Sequence, residues 1–321
     1  MKFDKFVPAL LAMIFIARVF PGPAVYDGPV TLHNVADVGI TLIFFFYGLK
    51  LSPRKLRQDL GNWRLHLLVQ LSTFVLFPLL VLPFFLAFGD GELHLLWLGF
   101  FFLATLPSTV SSSVVMVSIA KGNVPGAIFN ATVSSLAGIF ITPLLMGLVI
   151  SAGPLSIGSL SGILLKLVLQ VLMPVIVGLL LNRFWGHWAQ NRAAFLKNFD
   201  QSVILLVVYL SFGKSFTAGY FDNTGWVDLL LVFMGTVALF FTVYFIINRL
   251  ALRFRFSRED TITASFSGSK KSLIHGTVMS GVLFSGVAGT GLLLLPLMIY
   301  HAMQLVVVGF LAKRFSKQLE N

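Results

Sequence analysis

The chain has 321 residues, of which 57% are hydrophobic and only 11% are charged. Soluble domains carry about a quarter charged residues, so this composition excludes an ordinary soluble protein and predicts an all-α polytopic membrane protein. The net charge of +11 does not indicate nucleic-acid binding, because the basic residues lie in short segments between apolar stretches. The absence of cysteine excludes disulfide and thiol chemistry.

Ten apolar segments follow one another along the chain, and a membrane-spanning helix needs roughly 20 such residues. We expect spans at about 6–20, 35–51, 65–88, 93–120, 123–152, 157–183, 200–220, 226–250, 259–284 and 287–312. The first segment is interpreted as a retained span, because Arg18 interrupts it and no small-residue cleavage site follows.

The fourth span carries a break between Leu106 and Val124, in the sequence LPSTVSSSVVMVSIAKGNV. Pro107 removes a backbone donor, and hydroxyl side chains can satisfy the backbone groups that such a break leaves free. The hydroxyl residues are Ser108, Thr109, Ser111, Ser112, Ser113 and Ser118. One interpretation is a kinked but ordinary span, and the other is a discontinuous helix that forms a binding site.

The ninth span carries a second break, in the sequence SFSGSKKSLIHG from Ser265 to Gly276. It contains Lys270 and Lys271, and a lysine at the centre of a spanning helix costs ~2.5–3.5 kcal/mol. We therefore expect at least one of the two to face a cavity, the alternative being pairing with carbonyls of the broken helix. Breaks at matching places indicate two inverted five-span repeats, residues 1–152 and 153–321.

The basic residues also predict the orientation of the chain. Of the 23 lysines and arginines, 18 lie in the even-numbered loops and the two termini. Because cytoplasmic loops carry the excess of positive charge, both termini should be cytoplasmic. The loops leave no room for a separate soluble domain.

The sequence lacks the residues that several kinds of chemistry need. No acidic residue falls clearly in the middle of a span, although proton relays and cation pumps usually use one. No nucleophile, phosphate-binding or zinc motif is present, which predicts that the protein is not an enzyme. His301 and Gln304 are three residues apart and share a helix face, but they are too few to predict a metal site.

These segments carry a family likeness. The motifs LPSTVSSSVVMVSIAKGNV, GSKKSL and LLPLMIYHAMQL resemble the bile acid:sodium symporter family, solute-carrier family ten. WRLHLLVQLSTFVLFPLL and QSVILLVVYLSF are similar to its branch of bacterial YfeH-type proteins and the seventh vertebrate member. The resemblance covers essentially the whole chain and implies a bacterial inner (plasma) membrane protein.

The resemblance implies the fold of this family. Ten helices form two inverted repeats, and helices 4 and 9 are broken and cross each other. A panel takes the helices at about 6–51 and 157–220, and a core takes those at about 65–152 and 226–312. Alternating access would come from movement of the core against the panel.

The sodium ligands of the family match this chain at one position. Aligned through Ala120-Lys121-Gly122-Asn123, Ser113 takes the place of a serine ligand, so sodium is a candidate there only. Other ligand positions hold Thr73, Val114, Ala127, Ala131 and Phe266, with Asn130, Thr132 and Ser134 nearby. Lys270 takes a glutamine ligand position, and Lys271 takes that of an asparagine near the substrate cavity. We assign Lys270 to the carbonyl ends of the broken helices and Lys271 to the cavity.

The sequence thus predicts a secondary transporter of a small organic, anionic solute, with doubtful sodium coupling and no cofactor. Its partners would be that solute and the lipid bilayer, without nucleic acid. The alternative is a non-transporting membrane regulator or sensor of ion homeostasis. The candidate binding residues are Thr73, Thr109, Ser111, Ser112, Ser113, Asn130, Ser134, Ser269, Lys270, Lys271, Ser272, His301 and Gln304.

Overall fold

The computed structural model describes residues 6–50, 61–89, 93–152, 165–166, 168–222, 224–285 and 287–317, and within these ranges it contains helices and no strand. The helices are α1 (Phe6–Val19), α2 (Gly22–Val25), α3 (Leu32–Lys50), α4 (Trp63–Phe88), α5 (His94–Thr105), α6 (Ser111–Ile119), α7 (Val124–Ala152), α8 (Val168–Asn191), α9 (Ala193–Thr217), α10 (Trp226–Arg253), α11 (Arg258–Gly268), α12 (Leu273–Leu283) and α13 (Thr290–Lys317).

Seven of these helices are long and apolar enough to cross a membrane, namely α3, α4, α7, α8, α9, α10 and α13. Two shorter helices, α1 and α5, are also apolar. Large apolar side chains point outward on many of them, and Trp226 (87% exposed), Leu148 (72%) and Phe15 (69%) are examples. Such surfaces suit lipid rather than water, so the protein is a polytopic membrane protein whose described part is all-helical. The ten-span topology and the two inverted repeats stay predictions.

The helices form two compact units. Unit 1 comprises Met1–Ser52, Gly147–Gly225 and Gly276–Leu294, and unit 2 comprises Pro53–Met146, Trp226–His275 and Leu295–Asn321. In unit 1, α3 and α8 pack closely at Gly48 and Gly178. A Cβ added at Gly178 would collide with the carbonyl oxygen of Phe45, and one at Gly48 with that of Val175. Small residues thus allow these two backbones to approach each other.

Unit 2 contains both predicted breaks. The helical segment ends at Thr105, two residues before Pro107, and helix resumes at Ser111. The second interruption separates Gly268 from Leu273. Both fall where the sequence predicts them, and a continuous kinked span is excluded.

Three features of the helices differ from the prediction. The short helix α2 lies in a segment expected to be a loop, and α9 begins at Ala193 rather than near 200. The early start follows from burial, because Leu196 packs in a cluster with Leu49 and Ala189. In α4, residues Ser72–Leu76 form a π-helical turn. The predicted start of the sixth span, 157–164, and the repeat boundary at 153 lie outside the described residues.

Candidate functional site

The two interruptions of unit 2 contact each other through two hydrogen bonds to backbone carbonyls. The Ser272 N–H donates to the carbonyl of Pro107 at 2.9 Å, and the Ser108 hydroxyl donates to the carbonyl of Ser267. The Ser108 N–H, which has no helical acceptor next to Pro107, donates to Ser134 Oγ at 2.9 Å. Unwound backbone inside a membrane protein needs such partners, and here the two interruptions and Ser134 of α7 supply them.

The carbonyls at the end of α5 are satisfied by side chains. The last C=O groups of a helix have no intrahelical donor. Thr142 donates its hydroxyl to the Thr105 carbonyl at 2.7 Å. Lys271 Nζ lies 2.6 Å from the carbonyl oxygen of Ala104 and 2.8 Å from that of Leu106. The lysine ammonium therefore caps the negative end of this broken helix.

The third carbonyl at Lys271 comes from α4. In a regular helix Thr73 O would accept from the N–H of Phe77, but in the π-helical turn that N–H bonds to Ser72 O instead. The next residue, Pro78, has no N–H to offer. The Thr73 carbonyl is thereby released, and it lies 2.7 Å from Lys271 Nζ. The same ammonium lies 4.1 Å from the centre of the Phe77 ring, a cation–π contact.

Lys271 is therefore fully satisfied inside the protein. Its side chain is 0% exposed, and an ammonium has three N–H donors for the three carbonyls. A neutral amine has only two N–H groups, so the three carbonyl acceptors match the three donors of the charged form. This corrects the assignment from the sequence, in which Lys270 was to hold the carbonyl ends and Lys271 was to face the cavity.

Gln304 holds the backbone of Lys271 in place. Its Oε1 accepts from the Lys271 N–H at 2.9 Å, and its Nε2 donates to the Lys271 carbonyl at 2.8 Å. The side-chain amide thus replaces the helical partners that the backbone loses at the interruption. Gln304 Nε2 also lies 3.0 Å from His301 Nδ1, so the two residues predicted to share a face are in contact. Tyr300, on the same helix, donates to the carbonyl of Ser269 at 2.6 Å.

Lys270 lies at a helix N-terminus, that of α6, whereas Lys271 lies at the C-terminus of α5. Its side chain is 0% exposed, and Nζ donates to Ser112 Oγ at 2.8 Å. Ser112 is half-buried and belongs to the first turn of α6. Among the described residues this hydroxyl is the sole hydrogen-bond partner of the ammonium, and no carboxylate pairs with it. The positive end of a helix and a buried cation therefore lie together.

Hydroxyl groups extend this arrangement. Ser112 Oγ donates to Thr109 Oγ1 at 2.9 Å, and Thr109 Oγ1 lies 2.7 Å from Ser113 Oγ. Thr109 and Ser113 are buried, whereas Ser112 is the more accessible of the three. The hydroxyl cluster predicted from the sequence therefore meets Lys270 through one member. Ser111 begins α6, and its side chain lies outside the part of the chain that the structure describes.

Other candidate residues make local contacts. Asn130 Nδ2 donates to the Gly126 carbonyl, and Gln70 donates to both the carbonyl and Oδ1 of Asn130. The Ser269 hydroxyl bonds to the carbonyl of Ser265, and Ser272 Oγ lies 3.0 Å from His275 Nδ1. The Thr73 hydroxyl donates to Val69 O, so Thr73 reaches the lysine through its carbonyl alone. Asn130 thus links α7 to α4, whereas Thr73, Ser269 and Ser272 lie at or beside the interruptions. None of the four is hydrogen-bonded to Lys270 among the described residues.

Sequence reasoning missed Phe77, Tyr300 and Gln70. A signal was present for the first, because Ser72 and Thr73 shortly before Pro78 resemble the hydroxyl-and-proline pattern at the first predicted break. Tyr300 gave no such signal. An aromatic residue in an apolar span is ordinarily part of the packing, and its hydroxyl partner is visible only in three dimensions.

A cavity of about 490 Å³ lies within unit 1. Its lining includes two carboxylates, Asp27 and Asp37, and the basic residues His33 and Lys214. None of the candidate residues predicted from the sequence lines it. It is a polar cavity that no sequence motif indicated.

A helical membrane protein in which two interrupted helices meet through their unwound segments has the architecture of membrane transporters. The sequence matches the SBF-like CPA transporter family over residues 4–317, and the chain belongs to that family. The chain is accordingly a membrane transporter and not an enzyme.

Relatives extend over nearly the full chain. An uncharacterized protein of Pseudomonas aeruginosa is 39% identical over 318 residues, 99% of this chain and 94% of its own. YfeH of Escherichia coli, which is named as a symporter, is 38% identical over 317 residues, with coverage of 99% and 94%. Sodium/bile acid cotransporter 7 of Mus musculus is 28% identical over 308 residues, 95% of this chain and 90% of that protein. The predicted resemblance is confirmed.

Proposed function

We propose that the protein is a secondary active transporter of a small organic anion, which binds at Lys270 and the N-terminus of α6. The observation that carries this proposal is the state of Lys270. Its ammonium is completely buried, and among the described residues it has one neutral hydroxyl as hydrogen-bond partner.

The chemistry of the site favours an anion with several acceptor oxygens. Lys270 has three donors, and Ser112 accepts one of them. The first N–H groups of α6 have no intrahelical acceptor, and the α6 N-cap makes no side-chain hydrogen bond. A carboxylate or related group would accept from both sources, and anions bind well at helix N-termini. The half-buried Ser112 gives such a group a route to the ammonium.

The transport cycle is proposed to be alternating access in an inner-membrane protein of ten spans. Residues 1–152 and 153–321 would form the inverted repeats. The core, at about 65–152 and 226–312, would move against the panel at about 6–51 and 157–220. The two interrupted helices of unit 2 support this cycle, because a solute bound at such helices can be opened to either side by small movements.

The proposed orientation is tested by reporter fusions. Because basic residues accumulate in one set of loops, both termini should be cytoplasmic. Fusions at Gly61, Gly122 and Asn191 should report a cytoplasmic location, and fusions at Gly89, Gly153 and Asn223 an external one. An external C-terminus would contradict the ten-span topology and with it the inverted repeats.

The solute class is tested by a thermal-shift screen of the purified protein. A library of small carboxylates, sulfonates and phosphates is compared with neutral and cationic analogues of similar size. A ligand raises the melting temperature only if it binds the native state preferentially. We expect stabilisation by members of the anionic set alone. Stabilisation by cations, with no response to any anion, would refute the proposed site.

A transporter is separated from a membrane regulator by counterflow. Proteoliposomes preloaded with an unlabelled anion from the screen should transiently accumulate the labelled anion above equilibrium. A regulator that binds the anion without carrying it would give a thermal shift and no counterflow. That result would overturn the proposed transport while leaving the binding site in place.

A further inference from the structure

We propose that Lys271 is a built-in cation that replaces a bound metal ion at the interrupted helices, so that the protein binds and carries its solute without sodium. The observation is the set of oxygens around one nitrogen. Three backbone carbonyls, from Thr73, Ala104 and Leu106, lie 2.6–2.8 Å from Lys271 Nζ. The part about transport rests on the proposed function, whereas the part about the cation site stands on this geometry alone.

The carbonyls are free because the backbone is irregular at two places. The π-helical turn and Pro78 release the Thr73 carbonyl, and the end of α5 before Pro107 releases those of Ala104 and Leu106. Converging carbonyl oxygens from unwound helices are the usual ligands of an alkali cation in a transporter. In this chain the ammonium uses all three of them, and Phe77 covers it with its ring.

The covalent link makes this cation permanent. The backbone of Lys271 is fixed on both sides by the Gln304 amide, and the side chain is 0% exposed. An ion bound from solution would leave in part of the cycle and would couple its own gradient to the solute. A tethered ammonium cannot dissociate from the site as an ion does, so we expect its positive charge to stay at the interruption throughout the cycle.

The two adjacent lysines then have separate roles. Lys271 neutralises the negative end of α5, where it has three acceptors. Lys270 adds charge to the positive end of α6, where it has one. Lys271 therefore needs no ligand from solution, whereas Lys270 still lacks an anionic partner within the described part of the chain. The role of the bound cation falls to Lys271 and the binding of the anion to Lys270.

The test measures thermal stability without any solute, at constant ionic strength in sodium, potassium or choline chloride. For the wild-type protein we expect the same melting temperature in all three salts. A specific, saturable increase in sodium would overturn the proposal. This readout is independent of the anion site, so a failure here is distinguishable from a failure of the proposed function.

Chemical rescue provides the second measurement. Lys271→Ala removes the atoms of a propylammonium ion, and its melting temperature should fall by about 5 °C or more because three buried carbonyls lose their donors. Added propylammonium should restore part of this loss, whereas tetramethylammonium, which has no N–H, should not. Lys271→Met fills the space without a charge and should be destabilised but insensitive to propylammonium.

The rescue experiment also has outcomes that contradict the proposal. A Lys271→Met protein as stable as wild type would show that the charge is not needed. Equal responses of Lys271→Ala and Lys271→Met to propylammonium would show that the amine acts elsewhere. If neither variant can be purified, the comparison of salts on the wild-type protein still decides the matter.

Discussion

Replacing Lys270 with glutamine is expected to abolish most of the anion binding and leave the fold intact. Removing one partner of a buried charged pair in a complex costs ~2–5 kcal/mol, so the dissociation constant of the anion should rise by about 30-fold or more. In the absence of solute the change should not destabilise the protein. A buried ammonium with one neutral partner is unfavourable, and its removal should keep or raise the melting temperature.

The measurement is titration calorimetry with an anion identified by the thermal-shift screen. Lys197→Gln is the matched control. Lys197 is exposed near the beginning of α9, so this variant should bind the anion with the affinity of the wild-type protein. Lys270→Arg keeps the charge and should retain more affinity than Lys270→Gln. Unchanged affinity in Lys270→Gln, with an intact fold, would place the anion elsewhere. A large loss of stability would assign Lys270 the structural role.

Replacing Gln304 with leucine is expected to have the largest effect on stability among changes outside the lysine pair. The two hydrogen bonds from the Gln304 amide satisfy both backbone groups of Lys271. Leucine has a similar size and no polar atoms, so both backbone groups would be left unpaired in the interior. Each unsatisfied buried group costs ~1–3 kcal/mol, and the loss should amount to ~2–6 kcal/mol.

This prediction is checked by thermal or denaturant unfolding in detergent. Gln190→Leu is the control. Gln190 is exposed near the end of α8, so this substitution makes the same chemical change on the surface of the protein. We also expect Gln304→Leu to make the protein respond to cations in the medium, since the lysine would no longer be held in place. Stability equal to that of Gln190→Leu would show that the interruption does not depend on the amide.

The sequence was sufficient for the positions of the interruptions. Pro107 and the following hydroxyl residues predicted the first one, and the small and hydroxyl residues around Lys270 and Lys271 predicted the second. Both rest on local chemistry, namely a missing backbone donor and side chains able to replace it. Long apolar segments likewise predicted the membrane-spanning helices, because burial in lipid leaves few alternatives.

The roles of the two lysines could not be derived in this way. Adjacent residues in an unwound segment have no helical periodicity that fixes their directions. The backbone of Lys271 is held by Gln304, which lies 33 residues away in the sequence. Its ammonium donates to the carbonyl of Thr73, which belongs to another helix. A position in a family alignment records which residue replaces which, but not which oxygen atoms surround it. The assignment of the carbonyl ends to Lys270 was therefore wrong, because Lys271 binds them.

The π-helical turn in α4 is a related case. Pro78 was visible in the sequence, but a proline in an apolar span ordinarily suggests only a kink. Its effect here is to leave one specific carbonyl without a donor, and that carbonyl becomes a ligand of Lys271. Such a consequence depends on hydrogen-bond register, which composition and periodicity do not report.

Counterflow in sodium-free medium tests the central claim most directly. Proteoliposomes containing wild-type protein are loaded with an unlabelled anion from the screen and diluted into choline chloride with a trace of the labelled anion. We predict saturable, transient accumulation of label that is unchanged when sodium replaces choline and is lost in Lys270→Gln. Accumulation that requires sodium, or that persists in Lys270→Gln, would contradict a carrier in which Lys271 replaces the coupling ion and Lys270 binds the solute.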